Sequence, residues 1–147
     1  MVVVVRNSNK RHRINERFIK KLAVEALLFL KNPLRCDELE VIFLSDASIR
    51  PINKRYKNKD RSTDVLSFDL GRLKEILISS DTALRNSKRF NSSFENELVL
   101  YVIHGILHLS GYDDGTILEK RRMSSKEDKV LRRLCKSENL SKVLMRP

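Results

Sequence analysis

The sequence predicts an α+β fold: a small mixed sheet of about four strands packed with about five helices, in one domain spanning residues 1–147. Three observations predict it. Short β-branched or alternating stretches crowd the first half of the chain, namely VVVV at 2–5, ELEVIFLS at 38–45, VLSFDL at 65–70 and EILIS at 75–79. Apolar residues at helical spacing separate those stretches and then dominate the second half, so αβ units mix with a helical tail. A length of 147 residues suits one compact domain, and no internal repeat or low-complexity segment suggests another.

The elements follow in order. VVVV reads as a first strand. In NERFIKKLAVEALLFLK, Phe18, Leu22, Ala26, Phe29 and Leu30 recur at helical spacing, Asn15 is a candidate N-cap, and Pro33 lies just past the end. ELEVIFLS is a second strand, and Asp46 opens a short helix toward Tyr56. Pro51 is expected in its first turn or as the residue that shortens it. KNKDRSTD, residues 57–64, is a polar loop. VLSFDL and EILIS are strands joined by the turn-like GRLK. Ser80–Phe90 is helical, with Asp81 near its start. NSSFENELVLYVIHGILHLSG is the strongest helix: Ser92 or Ser93 caps it, Glu95 and Glu97 suit its first turn, and Gly111 suits its C′ position. A basic amphipathic helix over Ile117–Lys136, with Val130, Leu131 and Leu134 inward, completes the set.

Composition narrows the class. The chain is 41% hydrophobic and 33% charged, with a formal net charge of +11 and a pI of about 10.0. A domain this basic suits a polyanionic partner, with nucleic acid ahead of an anionic membrane. A merely well-solvated surface is the competing explanation. Met1–Val5 is too short for a signal peptide, and Glu25 and the histidines interrupt the longer apolar runs. A soluble protein without a membrane span is therefore expected. Cys36 and Cys135 match neither a disulfide framework nor a thiolate zinc site. They read as small apolar core residues in a reducing compartment.

The segment HGILHLSGYDDG carries the chemistry. His104 and His108 are four apart, so on a helix they share one face with Cβ atoms about 5–6 Å apart. Zn–N bonds are about 2.0–2.1 Å, so two such imidazoles can meet one ion. Gly111 ends the helix and lets the chain turn back, which puts Asp113 and Asp114 within reach. The His-x3-His-x5-Asp spacing to Asp114 makes a two-His, one-carboxylate set with one position open, the catalytic rather than the structural arrangement. Asp113 competes as the third ligand. Two partly buried histidines on an apolar helix are the plainer alternative. Zincin proteases carry Glu directly after the first His as general base, whereas here that position is Gly105, which argues against peptide hydrolysis.

Two motifs together carry a family resemblance. Residues 104–113 match H-G-x-L-H-L-x-G-Y-D. Upstream, Asn53, Lys59, Asp60, Thr63, Asp64, Val65, Leu66, Ser67 and Phe68 match N-x-x-Y-R-G-K-D-x-P-T-D-V-L-S-F. Ile78–Ser79, Met123 and Glu127 fit the later elements. The chain thus resembles the YbeY family of metal-dependent endoribonucleases, also called rRNA maturation factors, over nearly its whole length. The resemblance implies a cytoplasmic, single-strand-specific ribonuclease. It also implies action on the 3′ end of small-subunit rRNA and in ribosome quality control, with one zinc ion per chain and no small-molecule cofactor. The family's third histidine ligand falls on Asp114, and a two-His, one-carboxylate set suits Fe(II) as well as zinc. The family's arginine falls near Lys57, which keeps the charge without the bidentate fork. Asn58 and Ser62 stand where Gly and Pro are usual, and Lys74-Glu75 where Gly-Asp is usual.

These residues suggest roles. Zinc lowers the pKa of its water from 15.7 to about 7 and polarises a phosphoryl oxygen. Lys57 is the candidate catalytic cation for the charge that develops on phosphorus. Arg50–Arg61 holds six basic residues against Asp60 alone, and Arg55, Lys57, Lys59 and Arg61 are the candidate RNA-binding residues. From Glu119 onward ten basic residues face four acidic ones, which suits either contact with RNA backbone or a solvated helix face. Tyr112 is a candidate for stacking on a base, and Tyr101 reads as core. Two departures, Asp114 and Lys57, keep open a second reading, a non-catalytic RNA- or ribosome-binding factor with a degraded site.

Overall fold

Alternation along the strands sets the architecture. The computed structural model describes residues 1–146. Its strands are β1 (Val2–Asn7), β2 (Glu38–Leu44), β3 (Val65–Asp69) and β4 (Leu73–Ser79), in the sheet order β1-β2-β4-β3. β1, β2 and β4 run parallel, and β3 pairs antiparallel on the edge, with Val65 opposite Ile78 and Asp69 opposite Lys74. In β2 the residues Leu39, Val41 and Phe43 are fully buried, while their neighbours are only partly so. One face of the sheet is therefore the floor of the main core.

Helices cover that face. α1 (Glu16–Phe29) buries Phe18, Ile19, Leu22, Ala23, Ala26 and Leu27, and the Asn15 side chain accepts from the Phe18 amide at its start. α3 (Ser80–Arg89), α4 (Phe94–Leu109) and α5 (Ile117–Ser137) follow. α4 is nearly all apolar and runs through the middle, contacting α1, α3, α5, β3 and β4. α5 turns a stripe of Met123, Val130 and Leu134 inward, and a Thr116–Glu119 capping box fixes its start. α2 (Asp46–Lys57) alone covers part of the other sheet face, packing Ile49 on Leu66 and Leu77. The expected mixed sheet of four strands with five helices is present.

Four local features differ from expectation. Pro51 lies well inside α2, beyond its first turn, and does not shorten it: the helix continues to Lys57. Pro51 sits on the exposed side, and the carbonyl its missing N–H leaves unpaired belongs to Ala47, also exposed. Cys135 is exposed and Cys36 only partly covered, so neither is the buried apolar residue expected from its type. Leu131 is likewise only partly buried. A short 3-10 turn at Leu140–Val143 buries its first and last residues, and Ile14 bridges Leu144 beside it.

A polar cluster closes the C-terminal end of β2 and β4. Asp46 accepts from the Ser79 and Thr82 hydroxyls, each at 2.7 Å, and from Arg85. Asp81 accepts from Asn9, His12 and the Asp46 amide. Burial raises the Asp46 carboxyl pKa, but the Arg85 guanidinium and the two hydroxyls outweigh it and leave the group at about 2. A carboxyl depressed in the folded state stabilises the fold above its unfolded pKa and loses that contribution as pH falls. The window here runs from the ordinary 3.8 down to about 2. Screening at the half-open Arg85 pair limits the loss to about 1–2 kcal/mol. Urea unfolding at roughly pH 5 and about pH 2 is expected to show this loss, and Asp46→Asn is expected to remove most of it. An equal acid loss in Asp46→Asn would sink the assignment.

Candidate metal centre

α4 builds the centre because its two partly buried positions, His104 and His108, lie one turn apart at its C-terminal end. Their rings sit edge to face with centroids 4.7 Å apart. The helix then stops in a Schellman turn: the Gly111 amide donates to the His108 carbonyl, and the Tyr112 amide to the Leu107 carbonyl. Gly111 has φ +106, a conformation that side chains rarely adopt, so a glycine belongs at this stop. The turn returns the chain over the histidines and brings Asp114 to them.

Asp114 Oδ2 lies 3.4 Å from His108 Nε2 and 3.8 Å from His104 Nε2. One donor atom from each of His104, His108 and Asp114 falls within a single 4.8 Å group. Tetrahedral bonds of about 2.0–2.2 Å place neighbouring donor atoms about 3.4 Å apart, so this set fits one divalent ion with small adjustments. Asp113 is exposed, and Asp114 completes the group among the described residues.

Glu127 holds His104 from behind. Its Oε1 lies 2.6 Å from His104 Nδ1, and its side chain is 14% exposed. With Nδ1–H donated to this carboxylate, the lone pair of Nε2 points toward Asp114 and His108. Burial disfavours a charged His104 ring, but the Glu127 hydrogen bond and the charges of Glu127, Asp64 and Asp114 outweigh it. The ring's pKa is raised above the usual 6.5. The sequence reading placed Glu127 on the last helix without a role. The available signal is its position: it is the one acid on the apolar stripe of Met123, Val130 and Leu134. Asp64 is likewise visible in the sequence only as part of a motif. Its carboxylate accepts from the Val65 amide at 2.8 Å and adds negative charge near His104.

Gly105 explains why no general base follows His104. A Cβ at this position would lie 2.6 Å from Ile76 Cγ2, inside the core. The residue faces Ile76 of β4 too closely for any side chain, so a glutamate here could not fit. Protease chemistry on the zincin plan is therefore closed by packing as well as by composition.

The basic segment divides. Lys57 lines a hollow of about 260 Å³ together with Ser67, Asp69 and His108, beside the edge strand β3. Asn58 takes the left-handed conformation (φ 56) as the C-cap of α2, which Asn tolerates. Buried Asn53 donates to the Arg61 carbonyl, and its own carbonyl accepts from Lys59, so it ties the loop carrying Lys59 and Arg61 to α2. Arg55 points elsewhere: it lines a separate apolar hollow with Tyr56, Phe68 and Leu77 on the other face of the sheet. Tyr101 is core, buried at 6% exposure with its hydroxyl receiving the Asn86 amide.

Residues 4–135 match the family model described as endoribonuclease YbeY. The chain belongs to the endoribonuclease YbeY family. It is 36% identical over 142 residues to the endoribonuclease YbeY of Geobacter sulfurreducens, covering 88% of this chain and 93% of that protein. It is 37% identical over 136 residues to that of Aquifex aeolicus, covering 87% and 89%. A solution structure of a Thermotoga maritima protein superposes with a TM-score of 0.67 at 28% identity, covering 92% of this chain and 90% of that one. Membership places the chain among metal-dependent endoribonucleases of rRNA processing, hydrolases acting on RNA, and does not favour a non-catalytic binding factor. Among the described residues no helix is long and apolar enough to cross a membrane.

Proposed function

We propose that this YbeY-family chain cleaves single-stranded RNA at one zinc ion held by His104, His108 and Asp114, with residues 1–147 acting as one domain. One observation carries the reading: three donor atoms converge, and His108, which supplies one of them, borders the hollow that also holds Lys57. A zinc ion in such a set supplies Lewis acidity toward a phosphoryl oxygen. Glu127 keeps the His104 ring turned so that Nε2 faces the ion. Lys57 sets a fixed positive charge where negative charge grows on the phosphoryl oxygens. Lys59 and Arg61, anchored through Asn53, bind flanking phosphates. Arg55 contributes long-range field rather than a contact at the metal, since it faces the other hollow. The RNA is the 3′ end of small-subunit rRNA, met on the ribosomal small subunit in the cytoplasm; the family's role in rRNA processing and the net charge of +11 support this.

The test is cleavage of a labelled single-stranded oligonucleotide by zinc-loaded protein. Chelation is expected to stop it. Lys57→Ala is expected to slow it by about 10²–10³-fold, the usual loss of one transition-state donor, while Lys57→Arg retains most of the rate. Undiminished cleavage by the chelated protein would remove the metal from the reaction.

A further inference from the structure

A second hollow, of about 420 Å³, lies on the α5 side of the centre. It is lined by Tyr112, Arg121, Arg122, Ser125, Lys126 and Lys129, with no acid among them. The ion pairs formed among the described residues all lie elsewhere, so these four cations have no carboxylate partner in them. Their placement follows from helix geometry. Arg122, Lys126, Lys129 and Arg133 each precede by one residue a member of the inward stripe Met123, Glu127, Val130 and Leu134. They therefore form a parallel basic stripe one step round the helix. Like charges three and four apart repel, so this flank is poised for a polyanion.

The stripe is coupled to the metal centre at two points. Glu127, next to Lys126, hydrogen-bonds His104. Tyr112, which lines the hollow, lies two residues before Asp114 and packs against the core. Two hollows thus reach the donor set: His108 borders the one with Lys57, and Tyr112, two residues before Asp114, borders the one on α5.

We propose that the Tyr112–Arg122–Lys126–Lys129 hollow is a second binding site for the RNA strand, holding phosphates on α5 and one base against Tyr112 while the scissile phosphate lies at the metal. The inference rests on the endoribonuclease reading above. An RNA strand leaving the Lys57 hollow crosses the ligands and enters this one. The stripe from Arg122 to Arg133 spans about 16 Å at 1.5 Å per residue, room for about three phosphates.

Equilibrium binding of a labelled single-stranded RNA under chelator tests it. The variant Arg122→Gln/Lys126→Gln/Lys129→Gln keeps helix-forming residues and leaves the metal ligands intact. Three phosphate contacts contribute about 2 to the salt slope on single strands, so the variant's log–log slope is expected to fall by about 2. Its affinity near 0.1 M salt is then expected to fall by about 100-fold. Tyr112→Leu, which retains an apolar contact with the core, is expected to weaken binding about 10-fold through lost stacking. The control Lys120→Gln/Arg132→Gln/Lys142→Gln removes the same charge from outside this stripe and is expected to lose far less. Equal losses in the two triple variants, or none in either, overturn the proposal. Metal-dependent cleavage by the native chain separates the two readings. If the native chain cleaves RNA and the hollow variants bind normally, only this second site falls. If the native chain neither binds nor cleaves RNA, the endoribonuclease reading falls with it.

Discussion

His108→Ala is expected to leave the protein folded, strip it of bound metal, and abolish cleavage of single-stranded RNA. Structural zinc sites release about 10–16 kcal/mol over four ligands, so one ligand of the present set is worth about 3 kcal/mol, or at least about 10²-fold in affinity. His108 is the cleaner position for the test because its ring borders the open hollow and, among the described residues, Asp114 is its close carboxylate partner. His104→Ala loses the metal as well but adds a folding cost, since it strands the largely buried Glu127 carboxylate. That cost is about 1–3 kcal/mol for a buried group left without its partner. Metal content of the purified proteins and their melting temperatures separate the two effects. Asp114→Ala is expected to behave like His108→Ala, while Asp113→Ala retains the metal, because Asp114 is the acid that joins the group. Full metal occupancy in Asp114→Ala, or its loss in Asp113→Ala, would reassign the third ligand.

Much of this centre could be read in the chain because it is local. Two histidines one turn apart, a glycine stop and an acid after it lie within a few residues, and helix geometry fixes their relation. The sheet was legible for the same reason: β2 alternates buried and partly buried residues along its whole length. What the sequence left out is what distance along the chain hides. Glu127 lies 23 residues beyond His104, and only the packing of α5 on α4 brings them together. The division of the basic segment is also tertiary. Arg55 and Lys57 are two apart on α2 and so point to different sides of it, one toward each face of the sheet. Cys135 was misread for a simpler reason: residue type suggested burial, but its place on α5 lies off the stripe of Val130 and Leu134.

Replacing Glu127 gives the second large effect, because its contact with His104 is expected to matter more to metal binding than to the fold. A carboxylate on an apolar stripe is costly to bury, and replacing a whole buried pair by hydrophobic residues is often neutral or stabilising by about 1–4 kcal/mol, whereas removing one partner leaves the other unpaired. Glu127→Leu continues the stripe of Met123, Val130 and Leu134. Relief of the buried carboxylate is offset by the partner lost to the His104 ring, which is neutral without Glu127's charge and partly exposed, so the melting temperature of the metal-free protein is expected to change little. Its zinc affinity is expected to fall by about 10–100-fold, since nothing then fixes the His104 tautomer or strengthens its Nε2 donor. Glu127→Gln separates the two contributions. The amide oxygen still accepts from Nδ1–H and holds the ring, but the charge is gone, so its loss of affinity is expected to be the smaller one. Competition titration against a chromogenic chelator reads affinity without using activity. A purely structural role for Glu127 predicts the opposite pattern, with stability lost in Glu127→Leu and metal affinity unchanged. That result would detach α5 from the metal centre and leave His104 oriented by α4 alone.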